Sequence, residues 1–244
     1  MAKVSSRKKV EKKVDKPETD INITLLQKND FKFIKFTTNQ LKLYKIIQEN
    51  IIVNVTGYAG TSKTFLSCYA ALDAYSKGTI KKIVLVKPAV EAGDQMGFLP
   101  GSLDEKIAPF MDSYLSNMEK IISKEKVLLL IEKGVIEMKS LSHIRGSTED
   151  ESFMIMDETQ NSDLRQIMLF VTRMGKDSKI VICGDITQYD NAKRRKDFTI
   201  FSTMLEGLEG VKSFAFSRED IVRHKLLIEI TDRYEKYKNE NNLN

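Results

Sequence analysis

The stretch Gly57-Tyr58-Ala59-Gly60-Thr61-Ser62-Lys63-Thr64 constrains this chain more than any other, because it joins the apolar run Ile51-Ile52-Val53-Asn54-Val55 to a helical pattern. A strand that turns through glycines into a helix leaves backbone N–H groups around one concavity, at the positive end of the helix dipole. Phosphate fits there. The stretch follows G-x-x-x-x-G-K-[ST] at every fixed position but one: Ser62 stands where the pattern has its second glycine. The pattern assigns Lys63 to β- and γ-phosphate oxygens and the Thr64 hydroxyl to Mg²⁺, with the backbone of Gly57, Tyr58, Ala59, Gly60, Thr61 and Ser62 around the phosphates. If the position of Ser62 needs positive φ, a side chain there costs about 1–2 kcal/mol of local strain, while the backbone donor survives. An ordinary glycine turn is the plainer alternative, and the strand before and helix after favour the phosphate site.

A second landmark is Phe153-Met154-Ile155-Met156-Asp157-Glu158, an apolar strand ending in two acids. Downstream of a phosphate loop, with another strand between, the first acid is expected to hold Mg²⁺ opposite Thr64 and the second to orient or deprotonate an attacking water. Asp157 and Glu158 take those roles. The strand Lys179–Gly184 then ends in Gly184-Asp185-Ile186-Thr187-Gln188, which makes Gln188 the candidate γ-phosphate sensor. Upstream, Gln40 could read an adenine edge with its amide, or be a polar first-turn residue in water. Near the C-terminus, Arg223 could stabilise charge on a transferring phosphoryl group, its alternative being a surface ion pair.

The net charge of +5 suggests nucleic acid until it is located: residues 1–17 hold seven Lys or Arg against two acids, a surplus that leaves the rest of the chain formally neutral. We expect 1–17 to be a flexible basic arm and 18–244 to be one P-loop ATPase domain, since 244 residues with 41% hydrophobic content supply one substantial core. The longest aliphatic run, Val127–Ile131, is too short to span a membrane, and no apolar segment follows the basic start to form a signal peptide. A soluble, cytoplasmic protein without membrane contact is expected. Cys68 and Cys183 are isolated and read as buried, inert thiols. Lys193-Arg194-Arg195-Lys196 is the only basic cluster of the body and reads as a solvated loop.

In chain order, Phe31–Phe36 reads as a strand or an extended stretch, and Thr38-Asn39-Gln40 caps a helix with Leu41, Tyr44 and Ile47 on its apolar stripe. After Thr64 a helix turns Phe65, Tyr69, Leu72 and Tyr75 inward and stops at Gly78. A strand at Lys82–Lys87 precedes a glycine-rich loop, Ala89–Gly101, placed where open α/β sheets bind ligands. Helices over Ser102–Lys133, a short strand at Val135–Lys139, a helix from Ser162 to Gly175 with Leu164, Ile167, Met168 and Val171 inward, and a strand near Val211–Phe216 follow. The last helix carries Ile221, Leu227, Ile228 and Tyr234.

Taken together, GYAGTSKT, KPAVEAGDQMGFLPGSLDEKIAPF, HIRGST before FMIMDETQN, TRMGKDSKIVICGDITQYD and FSREDIVRHKLLIEITDRYE resemble the PhoH-like ATPases, over about Thr38–Tyr237. The resemblance implies an α/β fold: a three-layer α/β/α P-loop NTPase with a mainly parallel sheet, a single RecA-like lobe similar to that of superfamily-one helicases. It implies ATP and Mg²⁺ as cofactors, a cytoplasmic setting, single-stranded RNA or DNA as partner, and a homo-oligomeric ring, a hexamer among the forms. Its nucleotide motif falls on Gly57, Gly60, Thr61, Lys63 and Thr64, its magnesium and water residues on Asp157 and Glu158, its sensor on Gln188 and its late arginine on Arg223. Ser62, and the stretch Tyr189–Phe198 where a proline is expected, depart from the pattern. A nuclease domain is not expected before Thr38. Three functions compete: an ATPase coupled to RNA or DNA, in which Arg145 or Arg223 acts on a neighbouring subunit's ATP; a nucleotide-binding switch or scaffold with little turnover; and a small-molecule kinase, which Glu158 disfavours.

Overall fold

The computed structural model describes residues 24–88, 103–141, 143–185 and 192–240. The basic arm, the glycine-rich loop of 89–101, Gln188 and Tyr189 lie outside the described residues, as do the side chains of the cluster 193–196.

Six strands form one sheet: β1 (Ile52–Thr56), β2 (Lys82–Val86), β3 (Ile136–Lys139), β4 (Ser152–Met156), β5 (Lys179–Gly184) and β6 (Val211–Ala215), in the spatial order β3-β2-β4-β5-β1-β6. Every pairing is parallel. Both faces are covered, which is why β2, β4 and β5 are almost continuously apolar rather than alternating. On one face α1 (Thr38–Glu49), α2 (Lys63–Ser76), α3 (Leu103–Ile121) and α4 (Lys124–Glu132) pack Leu43, Leu66, Tyr114 and Leu130 against Val53, Leu85, Phe153 and Val181. On the other, α5 (Leu164–Val171) and α6 (Ala192–Met204) pack Ile167, Phe170, Phe198 and Phe201 against Val84, Met154 and Ile182. The layered α/β/α architecture is as expected.

Period-two alternation explains one polar core residue. Asn54 shares the second face with Ile52, and its Nδ2 donates to Ser202 Oγ at 2.9 Å. Tyr114 ties α3 to the sheet, its hydroxyl donating to Val86 O at 2.7 Å.

Local details differ from the expected ones. The α1 cap is Thr37, not Thr38: its hydroxyl accepts from Gln40 N while Gln40 Oε1 accepts from Thr37 N. The buried stripe of α1 is Gln40, Leu43 and Ile47, and Leu41 is 45% exposed, because a side chain with hydrogen-bond partners can be turned inward as readily as an apolar one. Phe31–Phe36 is an extended stretch outside the sheet; Phe31 and Phe36 pack edge-on against Tyr69, which leaves Tyr69 half-buried. Helix α5 ends at Val171, and Phe170, not Met168, is its second buried side chain. The last helix, α7 (Lys225–Glu240), starts after Ile221, and its Leu226, Ile230 and Tyr234 are each more than half exposed.

A buried carboxylate fixes the loop before β4. Glu149 is 1% exposed; Lys139 Nζ lies 2.8 Å from its Oε1, Lys82 Nζ 2.5 Å from its Oε2, and Ser147 Oγ donates to Oε1 at 2.7 Å. Burial alone would raise its pKa, but these hydrogen bonds and the charge of Lys139 hold it at about 2, against an ordinary 4.5. A depressed folded-state pKa stabilises the fold above about pH 4.5, and that contribution fades as pH falls from there towards about 2. We expect Glu149→Gln to remove about 3 kcal/mol at pH 7 and to flatten the loss of stability between about pH 4.5 and 2, as read by urea denaturation across that range. An unchanged acid profile would contradict the assignment.

Candidate functional site

Parallel strands all end at one edge, and there the C-terminal tips of β1, β5 and β4 lie side by side, with Thr56 opposite Gly184 and Ile182 opposite Met156. A cleft of about 580 Å³ opens over them, lined by Gln40 of α1, residues 59, 60 and 62–65, Asp157, Glu158, Gln160, Asp185 and Arg223. Residues the sequence spreads over most of its length thus meet in one place.

The loop wraps its own lysine. Lys63 Nζ donates to Gly57 O at 2.7 Å and to Tyr58 O at 2.9 Å, and it is buried. Two ammonium hydrogens are used there, and one remains. The loop turns through positive φ at Gly57 (149°), Gly60 (85°) and Ser62 (70°). Ser62 therefore does occupy the left-handed conformation that the pattern reserves for glycine, a strained state for a residue with a Cβ. The first turn of α2 opens on the cleft, where its leading N–H groups have no carbonyl above them.

Across the cleft, Thr64 Oγ1 donates to Asp157 Oδ2 at 2.7 Å. Burial, reinforced by the charge of Glu158, raises the pKa of Asp157, against the Thr64 hydrogen bond and the charge of Lys87. A buried carboxylate that its surroundings disfavour as an anion, beside a hydroxyl and a second carboxylate, is a set of hard oxygen donors that fits Mg²⁺. Glu158 itself stands at φ 55°, ψ 35°, a left-handed non-glycine residue. Gln160 Nε2 donates to its Oε2 at 2.6 Å, while Gln160 Oε1 accepts from Asp185 N at 2.8 Å. Gln160 thus clamps the tip of β4 to that of β5. Sequence reasoning missed it, although it lies inside the quoted FMIMDETQN, because nothing in the sequence shows that the chain after Glu158 makes a 3-10 turn (Thr159–Asn161).

Gln40 lines the cleft, but its amide is engaged: Oε1 accepts from Thr37 N at 2.9 Å and Nε2 donates to Ser62 Oγ at 3.2 Å. Asn117 and Lys120 of α3 also line the cleft and carried no sequence signal. The segment after β6 closes the mouth. Phe216 N donates to Thr56 O at 2.9 Å and Val222 N to Gly60 O at 3.0 Å, Asn39 Nδ2 donates to Asp220 Oδ1 at 2.7 Å, and the Arg218 guanidinium lies 5.7 Å from the Tyr58 ring centroid. Arg223 lies over Gly60 so closely that a Cβ there would sit 2.6 Å from its Nε. Arg145 is exposed and is not among the cleft-lining residues. Among the described residues no cluster of three or more His, Cys, Asp or Glu side chains could hold a metal, and no helix is long and apolar enough to cross a membrane.

The family model for PhoH-like protein matches residues 33–235. A PhoH-like protein of Bacillus subtilis is 37% identical over 201 residues, covering 82% of this chain and 63% of its own, and protein PhoH of Escherichia coli is 31% identical over 192 residues, covering 77% and 54%. The chain thus spans between about half and two thirds of the length of these relatives. Among solved structures, the large terminase of a thermophilic bacteriophage superposes with a TM-score of 0.53 at 9% identity, covering 84% of this chain and 50% of that one, a likeness of fold.

Two loop glycines separate backbone from side-chain tolerance. A Cβ at Gly57 would lie 2.7 Å from Phe216 Cβ and 3.2 Å from its carbonyl oxygen, and Phe216 is pinned by its bond to Thr56. At Gly60 the obstacle is the flexible Arg223 side chain. We expect Gly57→Ala to cost about 3 kcal/mol and Gly60→Ala about 1–2 kcal/mol, measured by chemical denaturation. Equal costs would show that the 216–223 segment does not brace the loop.

Proposed function

Because the chain belongs to the PhoH-like protein family, we propose that it binds ATP with Mg²⁺ in this cleft and hydrolyses the γ-phosphate, and that turnover is coupled to single-stranded RNA or DNA in a homo-oligomer. The observation that carries the reading is the 2.7 Å contact between Thr64 and Asp157, which brings the loop hydroxyl and the acid of the second landmark to one point. Thr64, Asp157 and the first turn of α2 face the space where a triphosphate and its metal would sit. When bound, Mg²⁺ would neutralise charge on the phosphate oxygens. Lys63 turns from the loop carbonyls, or uses its remaining hydrogen, to meet β- and γ-oxygens. Glu158, held by Gln160 at the strand tip, orients and deprotonates the attacking water. Arg223, over Gly60, adds positive charge at the mouth, and Gln188, which lies outside the described residues, is assigned the sensor role by its place in the sequence after β5 and by the family resemblance.

A carboxylate poised for water is useless to a kinase that must keep water from its phosphate, so transfer to a small acceptor is disfavoured. The switch with little turnover remains the second reading. It is favoured by the left-handed backbone at Ser62 and by a lysine that already donates to two of the loop's own carbonyls. The body outside residues 1–17 is formally neutral, so a nucleic-acid strand would be held by local clusters or by neighbouring subunits.

Lys63→Ala is expected to abolish ATP binding, and Glu158→Gln to keep binding while slowing hydrolysis about 100-fold or more, measured by phosphate release with and without single-stranded RNA or DNA. Hydrolysis at the parental rate by Glu158→Gln would sink the mechanism. Multi-angle light scattering with and without ATP should show a particle of several subunits; a strict monomer in both conditions would exclude the oligomeric part of the proposal.

A further inference from the structure

Ser62 is strained for no reason that phosphate binding supplies, since glycine at the same position would present the same backbone N–H without the left-handed penalty of about 1–2 kcal/mol. What Ser62 adds is a hydroxyl, and that hydroxyl accepts from Gln40 Nε2 at 3.2 Å. Gln40 is buried, and its orientation is fixed from the other side: Thr37 N is a donor only, so the group it meets at 2.9 Å is the amide oxygen. A carboxamide has two donor hydrogens and two carbonyl lone pairs. Thr37 takes one lone pair and Ser62 one hydrogen, which leaves one acceptor and one donor on an amide that lines the cleft.

We infer that Ser62 is a specificity-determining residue: from within the phosphate loop it holds the Gln40 amide in the orientation that accepts a 6-aminopurine and rejects a 6-oxopurine. The inference rests on the nucleotide reading above and deepens it. Adenine offers an amino donor beside the N7 acceptor, which matches the remaining oxygen and N–H of Gln40; guanine offers two acceptors, O6 and N7, and sets its O6 against the amide oxygen. Ser62 touches neither base nor reacting atoms and acts through Gln40. It also links the two ends of the cleft, because the residue that orients the base reader belongs to the turn that wraps the phosphates.

The test is equilibrium titration of ATP, GTP and inorganic tripolyphosphate, which has no base, against the full chain and the Ser62→Ala, Ser62→Gly and Gln40→Ala variants. Ser62→Gly restores the residue of the general pattern and relieves the backbone, so it keeps the test valid if Ser62→Ala folds poorly. The preference for ATP over GTP should fall about tenfold in both Ser62 variants, the worth of one oriented hydrogen bond. Tripolyphosphate affinity is read for every variant as the measure of the phosphate loop alone, so that a change shared by all three ligands is assigned to the loop and only a change in the ATP to GTP ratio to the base. Adding Ser62→Ala to Gln40→Ala should cost no further selectivity, since the serine has nothing left to orient. An ATP to GTP ratio unmoved in Ser62→Gly, with ATP still bound, overturns the inference and leaves the nucleotide site standing. A parent chain that binds none of the three ligands overturns both.

Discussion

The parallel register of β1, β5 and β4 is the constraint on which the site depends. Val53 lies opposite Val181 and Val181 opposite Ile155, so β1 and β5 end level at Thr56 and Gly184 while β4 ends opposite Ile182, and the residue after β4 arrives beside the first turn of α2. Side chains alternate between faces, so sliding β4 by one residue would send its apolar set to the wrong layer and turn the Asp157 carboxylate away from Thr64. The two cores prevent that slip. Phe153 and Ile155 are buried under the α1–α4 layer while Met154 and Met156 are buried under α5 and α6, so a shift in either direction would exchange the partners of every one of them.

That rigidity lets the cleft hold strained backbone. Of the four non-glycine residues described at positive φ, Glu151 and Asp177 sit in turns distant from the cleft lining, whereas Ser62 and Glu158 both line it. Each of the latter pair is gripped by a glutamine amide: Gln40 on Ser62 and Gln160 on Glu158. Both glutamines are buried and both use their second amide atom on a backbone N–H, Thr37 in one case and Asp185 in the other. A left-handed residue costing about 1–3 kcal/mol persists where its surroundings over-determine it, and here the over-determination has a visible form. The side chains so fixed are a loop hydroxyl and a carboxylate, the groups whose direction matters most in the cleft.

The fold was readable where the sequence pattern had only one solution. Apolar runs of strand length alternating with helical patterns left a parallel sheet covered on both faces, and the apolar run before the glycine turn marked β1 as an inner strand, which it is, between β5 and β6. Helix faces were harder. Leu41-Tyr44-Ile47 and Gln40-Leu43-Ile47 are equally good helical stripes, and only the partners of the Gln40 amide, which lie at Thr37 and Ser62, decide between them. At the site, Lys63, Thr64, Asp157 and Glu158 could be named because their spacing follows from the strand-turn-helix units that carry them. Gln160, Asn117 and Lys120 could not, because their place in the cleft comes from a 3-10 turn and from how α3 lies on the sheet.

The mouth of the cleft is the part most dependent on distant sequence. Arg223 reaches Gly60 because Val222 N bonds the carbonyl of Gly60, because Asp220 is held by Asn39 at the start of α1, and because Phe216 continues the β6 ladder onto Thr56. These contacts join segments far apart in the chain, and such contacts form only after the entropy of closing a long loop has been overcome. The strands that carry Lys63, Asp157 and Glu158 are the inner ones, β1 and β4, while the arginine hangs from an edge strand whose residues are largely half-buried or exposed. Fraying of β6 would therefore withdraw Arg223, together with Arg218 over Tyr58, and leave the floor of the site intact. The acids follow the inner strand β4 and the lysine opens α2 behind β1, whereas the arginine is held by a segment that follows an edge strand.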